Sequence, residues 1–206
     1  MLHSTTSKQK PKKGQGFSLL ELVIVVAIIM IVASISVPRL LNTVSDINLR
    51  YFATNYSGLL QSARMQAVRK NTYYTIQSTT LPSGGSGYYV HFQGAAYTAG
   101  DPLLPLGNRI TVHPGTGSGA TNEGTLTCGP SCTFNAGASN PSFNARGLPC
   151  VAAAGACPQS PGQGFVVFLS NSSVTGNISW ASVIITPSGH MQIWTSDGSG
   201  NWIQRD

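Results

Sequence analysis

From Phe17 to Val37 the chain runs 21 residues with one ionisable side chain, Glu21, and then meets Pro38. As a helix rising about 1.5 Å per residue, that run is about 31 Å long, which matches a bilayer hydrocarbon core of about 30 Å. Before it come Lys8, Lys10, Lys12 and Lys13 and no acid. Basic residues flanking an apolar span hold that end in the cytoplasm. The chain is therefore expected to enter a membrane at its N-terminus and place everything after Pro38 on the far side. A secretory signal peptide would be cut after the run, and Ser34-Ile35-Ser36 is a passable small-x-small site. A plain signal anchor needs only the apolar stretch. Neither accounts for Glu21. An acid at the centre of a spanning helix costs about 2.5–3.5 kcal/mol, somewhat less near an interface, and intramembrane acids have partners. Glu21 thus predicts a cation that reaches it.

The residues around that acid carry a resemblance. Gly16-Phe17-Ser18-Leu19-Leu20-Glu21, with a basic leader before it and Pro38 closing the apolar run, resembles the class III signal of type IV pilins and type II secretion pseudopilins. The resemblance implies a cut after Gly16 by a membrane prepilin peptidase and methylation of the new N-terminus, Phe17. It makes Glu21 the fifth mature residue and puts Pro38 where helices of the family bend. The physical logic agrees: cleavage creates an amine four residues from Glu21, and a neighbouring subunit's amine can neutralise the carboxylate in lipid. The implied partners are that peptidase, other pilin or pseudopilin subunits, and the inner-membrane assembly platform. The implied location is a single-pass bacterial inner-membrane protein with a periplasmic head, later built into a filament.

After Pro38 the pattern turns amphipathic. Leu40, Val44, Ile47, Tyr51/Phe52, Tyr56, Leu59, Ala63 and Ala67 recur every three or four residues, with polar side chains between them. This stripe is expected to pack under a head domain. Gly58 weakens the helix by about 1 kcal/mol relative to Ala. The helix is expected to end near Asn71, where Arg69 and Lys70 suit its negative end. The expected organisation is a leader over 1–16, a membrane or filament-core helix over 17–38, its amphipathic continuation over 39–71, and a β-rich head over 72–206. A chain of 206 residues has room for one ordinary domain with such an appendage.

The head reads as short strands bounded by Gly, Pro, Ser or Asn: 72–77, 87–93, 109–113, 164–169, 180–186, 190–194 and 202–204. Pro187-Ser188-Gly189 predicts a turn joining two of them into an antiparallel hairpin. The expected fold is α+β and pilin-like: a long N-terminal helix packed on an antiparallel β-sheet head with a long disulfide-bearing loop region. The stretch Ser62–Asn71 running into a strand is similar to the helix end of the GspH/FimT group of minor pseudopilins and minor pilins. The late strand, turn and Gly189 strand are like that group too.

Cys128, Cys132, Cys150 and Cys157 lie in a Gly/Pro/Ala/Asn-rich stretch over 114–164. A loop that long needs a staple, and an exported head permits disulfides. Four cysteines allow three pairings; local spacing favours Cys128–Cys132 with Cys150–Cys157. C-x3-C with C-x6-C is poor zinc spacing and no His lies close by, so neither a metal nor any cofactor is expected. The chain has no G-x-S-x-G, H-E-x-x-H, P-loop or dinucleotide fingerprint, so no enzyme is expected. His91 and His113 fall within predicted strands. Asp101, Glu123, Asp197 and Asp206 are too scattered for a calcium cage.

The net charge of +6 invites a nucleic-acid reading. Its distribution argues otherwise. Four lysines belong to the leader, residues 17–70 hold five basic and two acidic residues, and the head from Asn71 holds Arg109, Arg146 and Arg205 against four acids. Minor pilins of the FimT type carry a Gly-Arg-x-Arg element. The matching place here reads Gly189-His190-Met191-Gln192 without either arginine. Phosphate binding relies on clustered Lys and Arg, so DNA is not an expected partner.

Overall fold

The computed structural model describes residues 18–81, 84–135, 140–159, 161–172, 178–196 and 199–205. The chain divides into two compact units, one ending at Arg39 and one running from Leu40 to the C-terminus. Helix α1 spans Leu19–Lys70 and includes Pro38. Asn71 stops it: in the left-handed conformation (φ 50°), it lets the Thr72 N–H reach back to the Ala67 carbonyl at 3.1 Å. Its own N–H bonds the Val68 carbonyl at 3.3 Å, completing a Schellman close that satisfies carbonyls of the last turn.

Beyond Leu40 the fold is α+β. Strands β1 (Tyr74–Thr80), β2 (Ser86–Phe92), β3 (Leu103–Pro105), β6 (Ser142–Phe143) and β7 (Pro149–Cys150) form one sheet in the order β3-β2-β1-β6-β7. The second sheet, in the order β11-β10-β9-β8-β4, uses β4 (Ile110–Pro114), β8 (Gln163–Ser172), β9 (Ile178–Ile185), β10 (Met191–Ser196) and β11 (Trp202–Arg205). Its pairings are antiparallel, and β5 (Thr133–Phe134) adds a short parallel pair to β8. The turn predicted at Pro187-Ser188-Gly189 does join β9 to β10.

Period-2 alternation sorts the strands. Tyr74 and Ile76 of β1, Tyr88 and Val90 of β2, and Phe165, Val167, Leu169, Val183 and Ile185 of the second sheet share one cluster with α1. Tyr56 and Leu60 of α1 are fully buried there; truncating such a leucine to Ala costs about 2–5 kcal/mol. The opposite face of the second sheet is also dry. Val166, Phe168 and Ile184 pack with Ala120, Leu126 and Cys128 from the 115–135 segment, flanked by Trp180, Trp194 and Trp202. Burial on both faces explains why β8 reads as an unbroken apolar run.

One expectation needs correcting. The stripe on α1 holds from Phe52 onward, but Leu40, Val44, Ile47 and Tyr51 are exposed, and Ser45 and Leu49 are buried in their place. Polar contacts with the second sheet hold that side: Asn171 Nδ2 donates to the Ser45 carbonyl at 2.8 Å, and the Ser179 hydroxyl donates to the Asp46 carboxylate. The cysteine-bearing stretch is mainly loop over its described residues, as expected, and contributes the two-residue strands β5, β6 and β7. Cys128 is joined to Cys132 and Cys150 to Cys157.

Candidate functional site

The N-terminal segment is rich in Val and Ile, whose intrinsic helix propensity is modest, and it is apolar throughout except at Glu21 and three serines. Gly16, Phe17 and the leader lysines lie outside the described residues. Ser18 is the first described residue, and its carbonyl already accepts the Leu22 N–H at 3.1 Å. Glu21 stands in the first turn of α1, where a carboxylate meets the positive end of the helix dipole. Every side chain from Ser18 to Leu41 is exposed. The helix is long and apolar enough to cross a membrane, as a single-pass anchor requires. Pro38 supplies no N–H to the helical ladder, and the Ser34 hydroxyl donates locally to the Ile31 carbonyl at 2.7 Å.

Beyond Pro38, Leu40, Val44, Ile47 and Tyr51 continue an apolar row on the exposed side of α1. Their spacing of four, three and four residues puts them on one face. Sequence reasoning assigned this row to the intramolecular core. Only the side occupied by Ser45 and Leu49 is used that way.

Of the four head acids, Asp197 and Asp206 lie outside the described residues, and Asp101 and Glu123 brace loops. Asp101 Oδ2 accepts from the Thr98 N–H at 2.7 Å and the Thr98 hydroxyl at 2.8 Å, and pairs with His91 Nδ1 at 2.6 Å. Partial burial pushes its carboxyl up, but these bonds outweigh it and hold it below the ordinary aspartate range. Glu123 likewise accepts from the Gly117 and Ala120 N–H groups and the Ser118 hydroxyl. The burial that would raise its carboxyl is again outweighed by those donors. His113 lies within hydrogen-bond distance of the Ser170 hydroxyl, 3.1 Å, with its ring 5.4 Å from that of Trp180. No group of three or more metal-ligating side chains occurs among the described residues.

One feature of the head was missed by counting charges along the chain. A groove of about 560 Å³ runs between the end of α1 and the β9–β10 turn, lined by Arg64, Met65, Val68, Arg69, His190 and Met191 among others. The Gly189–Gln192 segment lacks arginines of its own, yet the helix brings two beside it. Residues 64 and 69 were counted with the helix, which hid this proximity.

The prokaryotic N-terminal methylation motif, a family model, matches residues 11–37. No curated protein and no solved structure matches the chain. The chain thus carries the type IV prepilin-like signal, which implies processing by prepilin peptidase and assembly with other pilins.

Proposed function

We propose that this protein is a minor structural subunit of a type IV pilus or type II secretion pseudopilus. It is cut after Gly16, methylated at Phe17, and assembled through the first half of α1. The observation that carries this reading is the methylation motif over 11–37, set at the start of a helix whose apolar side chains up to Leu41 are exposed. Exposed apolar area of that kind is stable only in lipid or against other helices. Glu21 pairs with the Phe17 amine of a neighbouring subunit, which removes the cost of a lone carboxylate in an apolar core. The likeness of Ser62–Asn71 and of the β9–turn–β10 unit to the GspH/FimT group supports minor rather than major status. The head then covers the filament surface or tip, and no catalytic role is assigned to it.

The test is intact mass of the protein from cells with an active prepilin peptidase. The expected mature chain begins at Phe17 with one added methyl group, and Gly16→Ala leaves the leader attached. An unchanged mass for Gly16→Ala relative to wild type would sink the reading. Co-purification with a pilus or with a secretion pseudopilus then separates the two assemblies.

A second reading, DNA capture by the head, draws support from the helix-end groove with Arg64, Arg69 and His190. Gel shift of the full chain at low salt tests it. Retardation that weakens steeply with salt and with Arg69→Ala supports it, and its absence removes it.

A further inference from the structure

The outer face of β1 floors a second cleft, of about 430 Å³, on the side of the sheet away from α1. Tyr74 and Ile76 point to the helix, so Tyr73, Thr75 and Gln77 take the other face. With Gln93, Asn140 and Ser142 they line the cleft. No charged side chain lines it among the described residues. The floor is fixed, because the Thr75 and Ser142 hydroxyls are buried and 2.9 Å apart.

Gln77 is oriented by a neighbour. Its side-chain amide lies 2.8 Å from the Tyr89 hydroxyl, which itself lies 3.0 Å from the Ala95 carbonyl oxygen, so one end of the amide is held in place. That amide lies beside Gly94, where an added Cβ would approach it to 3.0 Å. Gly94 (φ 70°) follows Gln93 (φ 52°) in a tight turn closed by the Ala95 N–H on the Phe92 carbonyl. A residue with no side chain is what keeps the approach to Gln77 open.

The remaining wall is the 151–154 segment. The Cys150–Cys157 disulfide closes its loop, and Ala153 and Ala156 exchange backbone hydrogen bonds at 2.8 and 2.9 Å. Three consecutive alanines, Ala152, Ala153 and Ala154, keep this wall low.

We propose that this cleft binds a neutral saccharide of one or two rings. A sugar hydroxyl both donates and accepts, and so do the amide and hydroxyl groups gathered here. An ion would leave its charge without a counter-charge, and an apolar ligand would strand the polar floor. The volume falls within the range of small-ligand sites, about 300–1,000 Å³.

The test uses the full chain in a zwitterionic detergent without a sugar headgroup. Saturation-transfer NMR is recorded with lactose, maltose, cellobiose and chitobiose, and with a neutral Gly-Ser-Asn-Gly peptide. Lactosylceramide vesicles run beside free lactose separate a lipid headgroup from a soluble sugar. Gln77→Met keeps the length of the side chain and removes its hydrogen-bonding amide without adding charge; Asn140→Ala alters the opposite rim; circular dichroism checks that both fold. Binding of at least one sugar, free or lipid-borne, weakened about three- to tenfold by each variant and unchanged by Arg69→Ala, is expected. No binding by any sugar, binding that both variants leave intact, or binding of the peptide alone would overturn the proposal.

Discussion

Arg64 on α1 donates from Nη1 to the backbone carbonyl of Gly189 at 2.9 Å, across 125 residues of sequence. This bond seats the β9–β10 turn on the last turns of the helix. Gly189 is there for two reasons. Its φ is +79°, and a Cβ at that position would stand 2.8 Å from the Gly147 carbonyl oxygen and 3.2 Å from Arg64 Cζ.

Gly189→Ala is therefore expected to lower stability by about 1–3 kcal/mol, since both the backbone conformation and the space are refused. Arg64→Met, which keeps the aliphatic stem and loses the donor, is expected to cost about 1 kcal/mol. Urea midpoints of the full chain in detergent measure both. An alanine variant as stable as wild type would contradict the close packing at this turn.

Tyr56 is fully buried, and its hydroxyl has no hydrogen-bond partner among the described residues. Burial, reinforced by the neighbouring Tyr88, pushes its phenol far above the ordinary tyrosine value. Tyr56→Phe removes the unsatisfied hydroxyl and keeps the edge-on ring contact with Tyr88. It is expected to leave stability unchanged or raise it by about 1 kcal/mol at neutral pH. The sign at alkaline pH follows from linkage. The folded state retains a proton that the unfolded state releases near pH 10, so this contribution is intact below about pH 10 and is lost as pH rises above it. Urea midpoints at pH 8 and pH 11 are expected to differ less in the Phe variant than in wild type.

Asp101 gathers the 98–101 turn and His91 onto one carboxylate oxygen. Because its folded value is depressed, its stabilising effect is present above about pH 4, the unfolded value, and disappears as pH falls through the folded one. Hydrogen exchange of residues 95–101, corrected for intrinsic rates, is expected to be protected at pH 5 and to lose protection near pH 3. Asp101→Asn should show at pH 5 the weakened protection that wild type shows only in acid. Equal protection in the two proteins at pH 5 would refute the carboxylate's role.

The elements that were legible are those whose own residues repeat a period. The unbroken apolar run of β8, the Thr-Tyr-Tyr-Thr-Ile-Gln alternation into β1 and the Pro-Ser-Gly turn before β10 all became strands or turns near the predicted places. Residues 52–67 of α1 also bury the predicted side. Periodicity failed at Leu40, Val44, Ile47 and Tyr51, because it finds an apolar face without saying what covers it. There polar contacts from the second sheet, Asn171 to Ser45 and Ser179 to Asp46, hold the other side. The two-residue strands β5, β6 and β7 are too short to show any period. Nor could the charge tally foresee that Arg64 and Arg69 stand beside His190, since that proximity exists only once the helix is folded against the hairpin. The cleft over Gln77 is marked in sequence only by the polar half of β1's alternation.

Both disulfides are short-range, with partners 4 and 7 residues apart. Neither ties one sheet to the other or either sheet to α1. An unfolded chain can therefore establish its strand order before either disulfide forms, because no long loop waits on a covalent closure. Wrong pairings are disfavoured by proximity alone, since each cysteine meets its neighbour before it meets the distant pair. Reduction of both bonds is therefore expected to loosen two small loops and leave the sheets assembled.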